Sequence, residues 1–279
     1  MNQTQAAVGQ KRKEAAAQPQ AGLTRSGVPF IVYDGLIFHG MPVKGAFPPK
    51  GLSDRKAEEL QQAFAQILTD ISFRYEFKRG VVPHKHCDIL PGDAIMEAGA
   101  FLGYYSMYFA RRVGPLGKVF SVEFHPGAYR ILKRNFLANF PETATAIHKG
   151  VFNTTGTQKA FLFRNQANSF REDVILDVCK ASPGDYQEVD VPVDTLANIL
   201  AQCGFPRLKL LTIQVNGSEL EALEGLDGTE HLVENIFVAA PYGKDGRENN
   251  VAPAMAMLEK YNFTIQIENR TGIYAKSAR

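Results

Sequence analysis

Residues 93–126 read DAIMEAGAFLGYYSMYFARRVGPLGKVFSVEFHP, and the rest of the chain is organised around them. An apolar run, Ile95-Met96, ends in Glu97, and Ala98-Gly99-Ala100-Phe101-Leu102-Gly103 follows. Tyr104, Tyr105, Met107, Tyr108, Phe109 and Ala110 give a helical pattern that Gly114-Pro115-Leu116-Gly117 breaks. A second apolar run, Val119 to Val122, ends in Glu123. Strand, glycine-containing turn, helix and strand, closed by an acid, is how a parallel α/β sheet builds a nucleoside pocket.

Each part has a chemical use. Gly99 and Gly103 remove Cβ atoms where a ligand or the sheet comes close. Ser106 and the amides of the first helical turn can hydrogen-bond a ligand. Glu123 can accept from both ribose hydroxyls, and it lies near the expected ~20 residues past the turn. The loop is not G-x-G-x-x-G, because positions 97 and 101 are Glu97 and Phe101. With one glycine fewer for a pyrophosphate, it suits an adenosine carrying an amino acid, whose ammonium Glu97 could face. The plainer alternative is an ordinary βαβ turn with acids at its strand ends.

The 279 residues carry a net charge of +2, which makes no strong case for nucleic acid or an anionic membrane. Cys87, Cys179 and Cys203 are odd in number and far apart, which fits a reducing compartment without a disulfide framework. No apolar run approaches the roughly 20 residues that span a bilayer. The basic N-terminus lacks the apolar core of a secretory signal, so a cytoplasmic protein is expected.

Three segments are expected: a disordered tail over 1–22, a leader over 23–90, and one α/β domain over 91–279. In the leader, Asp34-Gly35 between two apolar triplets signals a hairpin that could cover an edge, form a lid or dock on a second subunit of a homodimer. Ser53 opens a helix expected to run to about Phe73. His84, His86, Cys87 and Asp88 are close in sequence, but H-x-H-C lacks a second ligand pair, so no metal is expected. Further along, strands are expected at 144–149, 158–163, 189–196, 208–215 and 235–240, with helices between them and a terminal hairpin. The expected fold is therefore an open, mainly parallel Rossmann-like sheet with helices on both faces and a C-terminal antiparallel hairpin. Its ligands belong beyond the carboxyl ends of the strands.

MEAGAFLGYYS, VFSVEFHPGAYRILKRN, VPVDTL and IQVNGSELEALEG, with their spacing, make the chain from about Leu90 to Lys276 resemble the S-adenosylmethionine-dependent methyltransferases of the FkbM type. That resemblance implies S-adenosyl-L-methionine as cofactor and O-methylation of a sugar or other small molecule. It implies cofactor contacts at Glu97, Gly99, Gly103, Tyr104, Ser106 and Glu123, with the adenine against Phe124 and Val151. The chain departs from the family where K-I-D-V-E-G-x-E is usual: here Thr212, Ile213, Gln214, Val215, Asn216, Gly217, Ser218 and Glu219 stand. Amides cannot act as bases and bind hard cations poorly. Gln214 and Asn216 are thus expected to orient the acceptor. His125 is the first candidate base, ahead of His84, His86 and His148, although it could instead cap the next helix. Tyr104, Tyr105 and Tyr242 are candidates for the wall of a methyl pocket. The same amides leave open a cofactor-binding protein without turnover.

Overall fold

The computed structural model describes residues 20–43, 54–76, 86–163, 167–204, 207–243, 249–269 and 271–278. Strands β1 (Gln20–Leu23), β2 (Pro29–Tyr33) and β3 (Leu36–His39) form an antiparallel sheet, turned at Asp34-Gly35 as expected. Gln20, Ala21 and Gly22, assigned to the tail from sequence, belong to β1, because Gly22 pairs with Phe30 on the neighbouring strand. The rest of that tail, Ser53 and His84 lie outside the described residues. Helix α1 (Asp54–Asp70) continues into a π-helical turn, Ile71–Tyr75.

The central unit then runs β4 (Ala94–Ala98), α2 (Tyr104–Val113), β5 (Lys118–Val122), α3 (Pro126–Asn139) and β6 (Ala144–Ile147). An inserted sheet follows, built from β7 (Gly150–Val151), β8 (Gly156–Phe163), β9 (Ala167–Ser169) and β10 (Gln187–Asp194) in the order β7-β10-β8-β9. A second π-helical turn, Val174–Val178, separates β9 from β10. The chain returns through α4 (Leu196–Cys203), β11 (Leu210–Ile213), α5 (Glu219–Glu224), β12 (Asn235–Ala239) and α6 (Val251–Lys260). It ends in the hairpin β13 (Phe263–Asn269) and β14 (Gly272–Ser277).

The main sheet has the order β13-β14-β12-β11-β4-β5-β6. The strands from β12 to β6 are parallel, and β14 pairs antiparallel to both β12 and β13. The chain winds from β4 outward through β5 and β6, then re-enters on the other side of β4 at β11. The carboxyl ends of β4, β5 and β11 therefore flank the point where strand order reverses.

Each face of this sheet buries its own core. On one face Ile95, Val119 and Leu210 meet Met107 and Phe109 of α2 and Leu132 and Phe136 of α3. On the other, Met96, Leu211 and Val238 meet Ile199 of α4, Leu223 of α5 and Leu258 of α6. Burial on both faces explains the near-continuous apolar runs. The leader hairpin neither covers a sheet edge nor hangs free as a lid. Ile31 and Phe38 join the first core, and Asn135 and Asn139 of α3 accept from the backbone amides of His39 and Ile37 at 2.8 Å each.

Candidate functional site

A cavity of about 330 Å³ opens where β4, β5 and β11 end. Gly99, Glu123, Phe124, Val151, Gln214 and Asn216 line it, so the structure gathers six of the residues singled out from sequence. Strand pairing does this, since β4 lies between β5 and β11 and all three end at the same level.

Glu123 is the fixed point of the β5 side. One carboxylate oxygen accepts from the amide of Phe101 at 2.8 Å and the other from the amide of His125 at 2.7 Å. Each oxygen keeps a lone pair for a further donor. Burial pushes Glu123 up to about 7 against the lowering pull of these amides. Gly99 lies at φ 85°, and a Cβ there would sit 1.9 Å from the backbone oxygen of Gln214. Glycine is required because the loop leaving β4 runs against the end of β11.

The β11 side is built from amides. Asn216 donates from Nδ2 to the carbonyl of Asn168 at 3.0 Å, while its own carbonyl accepts from Ser169 at 2.7 Å. The Arg171 guanidinium reaches the carbonyls of Gly217 at 3.3 Å and Gly243 at 2.8 Å, tying the loops after β11 and β12 together. Glu219 turns inward and accepts from the amide of Gly217, and burial raises it to about 7.

Glu97, Gly103, Tyr104, Ser106 and His125 do not line the cavity, each for a local reason. Glu97 shares the face of Ile95, so it points under α2, where Ser106 donates to it and Ser106 and Ser121 lie 2.6 Å apart. Burial drives Glu97 to about 8. Ser106 is consumed by this network, and Tyr104 points the other way, its hydroxyl donating to the His39 carbonyl at 3.1 Å. Gly103 is the left-handed N-cap of α2, and a Cβ on it would meet Leu132 at 2.3 Å. His125 caps α3 and does not line this cavity. Its Nδ1 accepts from the amides of Gly127 and Ala128 at 3.0 Å, and burial lowers its pKa.

Two further candidate histidines, His86 and His148, pack against tyrosines. His148 stacks on Tyr129 at 4.4 Å, and His86 packs on Tyr274 with ring centroids 5.2 Å apart. Tyr242 does line the cavity, with its pKa raised by burial.

Residues from outside the strand ends complete the lining. Arg74 comes from the first π-helical turn, and Asn168, Phe170, Val174 and Cys179 from the inserted segment. Phe170 packs on Phe124 with centroids 4.8 Å apart. Lys149 lines the cavity too, with its ammonium 2.6 Å from Asp194. In sequence, the segment from Asn165 to Gln187 is polar, weakly periodic and long enough to border the mouth, whereas nothing there marks Arg74.

The Methyltransferase FkbM domain matches residues 97–265 of the chain. Methyltransferase sdnD of Sordaria araneosa is 31% identical over 210 residues, 64% of this chain and 78% of its own. The 31-O-demethyl-FK506 methyltransferase FkbM of Streptomyces tacrolimicus is 25% identical over 234 residues, 76% of this chain and 85% of its own. Among solved structures, a SAM dependent methyltransferase from Aquifex aeolicus overlaps 81% of this chain and 98% of its own at 11% identity, with a TM-score of 0.42.

Proposed function

The chain belongs to the FkbM methyltransferase family, whose cofactor is S-adenosylmethionine, and on that premise we propose that it methylates a hydroxyl oxygen of a neutral small molecule. The cavity suits the cofactor. Glu123 offers two buried carboxylate oxygens for the ribose hydroxyls, Phe124, Val151 and Phe170 offer an apolar slot for the adenine, and Arg74 offers a buried Nε without a hydrogen-bond partner. Bound there, the cofactor would supply a methyl group activated by its sulfonium: the O–C bond would form as the S–C bond breaks, S-adenosylhomocysteine would leave as a neutral thioether, and the acceptor's proton would pass to solvent.

The observation that carries the reading is the neutral β11 side. Gln214, Asn216, Cys179 and Tyr242 can hydrogen-bond a hydroxylated acceptor without placing charge beside it. A cationic amine would call for a carboxylate, and the one among the described lining residues is Glu123, held by two amides. Lys149 is paired with Asp194, and Tyr242 stays protonated, so the side chains orient the acceptor and exclude water more than they move its proton. The name of the Streptomyces relative, which gives an O-demethyl compound as substrate, agrees with an oxygen acceptor.

The test is incubation of the full chain with methyl-deuterated S-adenosylmethionine and a panel of hydroxylated, amino and thiol compounds, read by mass spectrometry. Label on an ether oxygen is the expected product. Label on nitrogen or sulfur would overturn the oxygen reading. A second reading, cofactor binding without turnover, is favoured by the amides where the family usually has acids. Tight binding of S-adenosylhomocysteine with no labelled product from any acceptor would select it.

A further inference from the structure

Arg74 belongs to the leader, yet its side chain reaches the cavity at the end of β4. It lies over the Phe101 ring, with Cζ 5.2 Å from the centroid. Its Nε is buried without a hydrogen-bond partner. Among the described residues, its carboxylate neighbour is Asp70, with an oxygen 3.8 Å from Nε, beyond hydrogen-bond reach. A buried guanidinium N–H left unbonded costs stability, and such a cost is commonly recovered when a ligand completes the bond. The positive charge also acts on Glu97 and Glu123, drawing both toward ionisation.

We infer that Arg74 is a specificity residue that binds the carboxylate of the cofactor's amino-acid end. This rests on the cofactor site described above and adds a group that the family motifs do not mark. The chemistry is complementary on each side. Glu123 presents carboxylate acceptors to a ribose, while Arg74, over Phe101, presents planar donors to an anion. The remaining charge in the lining is the Lys149 ammonium, already 2.6 Å from Asp194. Among the described lining residues, Arg74 is thus the cation whose ion pair, 3.8 Å to Asp70, is too long for a hydrogen bond, and a carboxylate is the part of the cofactor that calls for one. Because Arg74 follows α1 directly, carboxylate binding would also tie the leader to the loop after β4.

The experiment compares two ligands on the full chain by titration calorimetry. One is S-adenosylhomocysteine, and the other is its decarboxylated analogue, which keeps the adenosine, thioether and amine. In the wild-type chain the carboxylate should strengthen binding about tenfold or more. Arg74→Gln should abolish that preference, weakening S-adenosylhomocysteine while leaving the analogue within about twofold, and Arg74→Lys should keep part of it. Equal affinity of the two ligands for the wild-type chain overturns the inference without any mutant. Equal weakening of both ligands by Arg74→Gln does so as well, since it would show that Arg74 only supports the fold around Phe101. A wild-type chain that binds neither ligand overturns the cofactor site together with the inference.

Discussion

The loop after β4 and the loop after β11 face each other across the crevice. Each holds a non-glycine residue in the left-handed region, Phe101 and Asn216, both at φ 52°. What fixes that backbone differs. Asparagine tolerates the conformation, and Asn216 is held by its own bonds to Asn168 and Ser169 on the inserted sheet. Phenylalanine tolerates it poorly, and the amide of Phe101 is held by the buried carboxylate of Glu123, which also faces the cavity. The backbone of one side is therefore held by bonds within the protein. On the other, the group that holds the strained backbone is the group that meets the ligand, so binding should be felt there.

The most severe way to break this comparison is to push the two sides apart. Gly99→Ala would place a Cβ 1.9 Å from the Gln214 carbonyl at a φ of 85°. The expected loss is about 4 kcal/mol or more, measured by urea unfolding, because neither backbone can yield without moving its strand. A loss under about 1 kcal/mol would show that the β11 side is looser than described.

The next test separates the two acids of the first unit. The folded chain holds the proton of Glu97 up to about pH 8, whereas the ordinary value is 4.5. The folded state thus binds more protons than the unfolded one between those values, and its stability falls as pH rises through them. Thr212, beside Glu97 in the register, offers no countercharge, and its hydroxyl lacks a partner. Glu97→Gln keeps an acceptor for Ser106 and removes the titration. It should flatten the fall in stability between pH 5 and 8 by on the order of 3 kcal/mol, read from denaturation midpoints across pH. An unchanged slope would mean that Glu97 is ionised in the folded chain.

Glu123 should answer through the ligand instead. Glu123→Ala should weaken S-adenosylhomocysteine by roughly 30-fold, about 2 kcal/mol, with Glu123→Gln intermediate. Its acid is raised to about 7 by burial, and ribose hydroxyls donate to the ionised form. Affinity should therefore climb by up to about tenfold per pH unit below 7 and level off above it, a dependence absent from Glu123→Gln. Binding that ignores both the substitution and the pH would remove Glu123 from the site.

The sequence carried the alternation that sets the sheet, and with it the strand ends that bring Gly99, Glu123, Gln214 and Asn216 together. The pleat explains why some of the other candidates do not line the cavity. Glu97 is two residues from Ile95 and shares its face, so it goes under α2 and takes Ser106 with it. Cofactor contacts at Tyr104 and Gly103 are what the family resemblance implies, and the residues themselves leave open whether Gly103 meets a ligand or the sheet. Their environment is set by the leader hairpin and by α3, and no local pattern announces that packing. Arg74 and Phe170 reach the cavity through tertiary packing of the leader and the inserted sheet, so no spacing rule within the βαβ unit could find them.

The smallest expected effect sharpens the comparison by asking whether the β5 side holds any second chemical group. His125 follows Glu123 closely and looks like a base in the sequence, but its Nδ1 lone pair is spent on two amides of α3. His125→Ala removes that cap while leaving the backbone amide that Glu123 uses. Stability should drop by about 1 kcal/mol, and His125→Asn, a good capping residue, should restore most of it. Both variants should keep the wild-type kcat/KM and its pH profile, measured with the acceptor found by deuterium labelling. If His125→Asn restores stability but not turnover, the imidazole takes part in proton transfer, and the β5 side carries a catalytic group besides the carboxylate of Glu123.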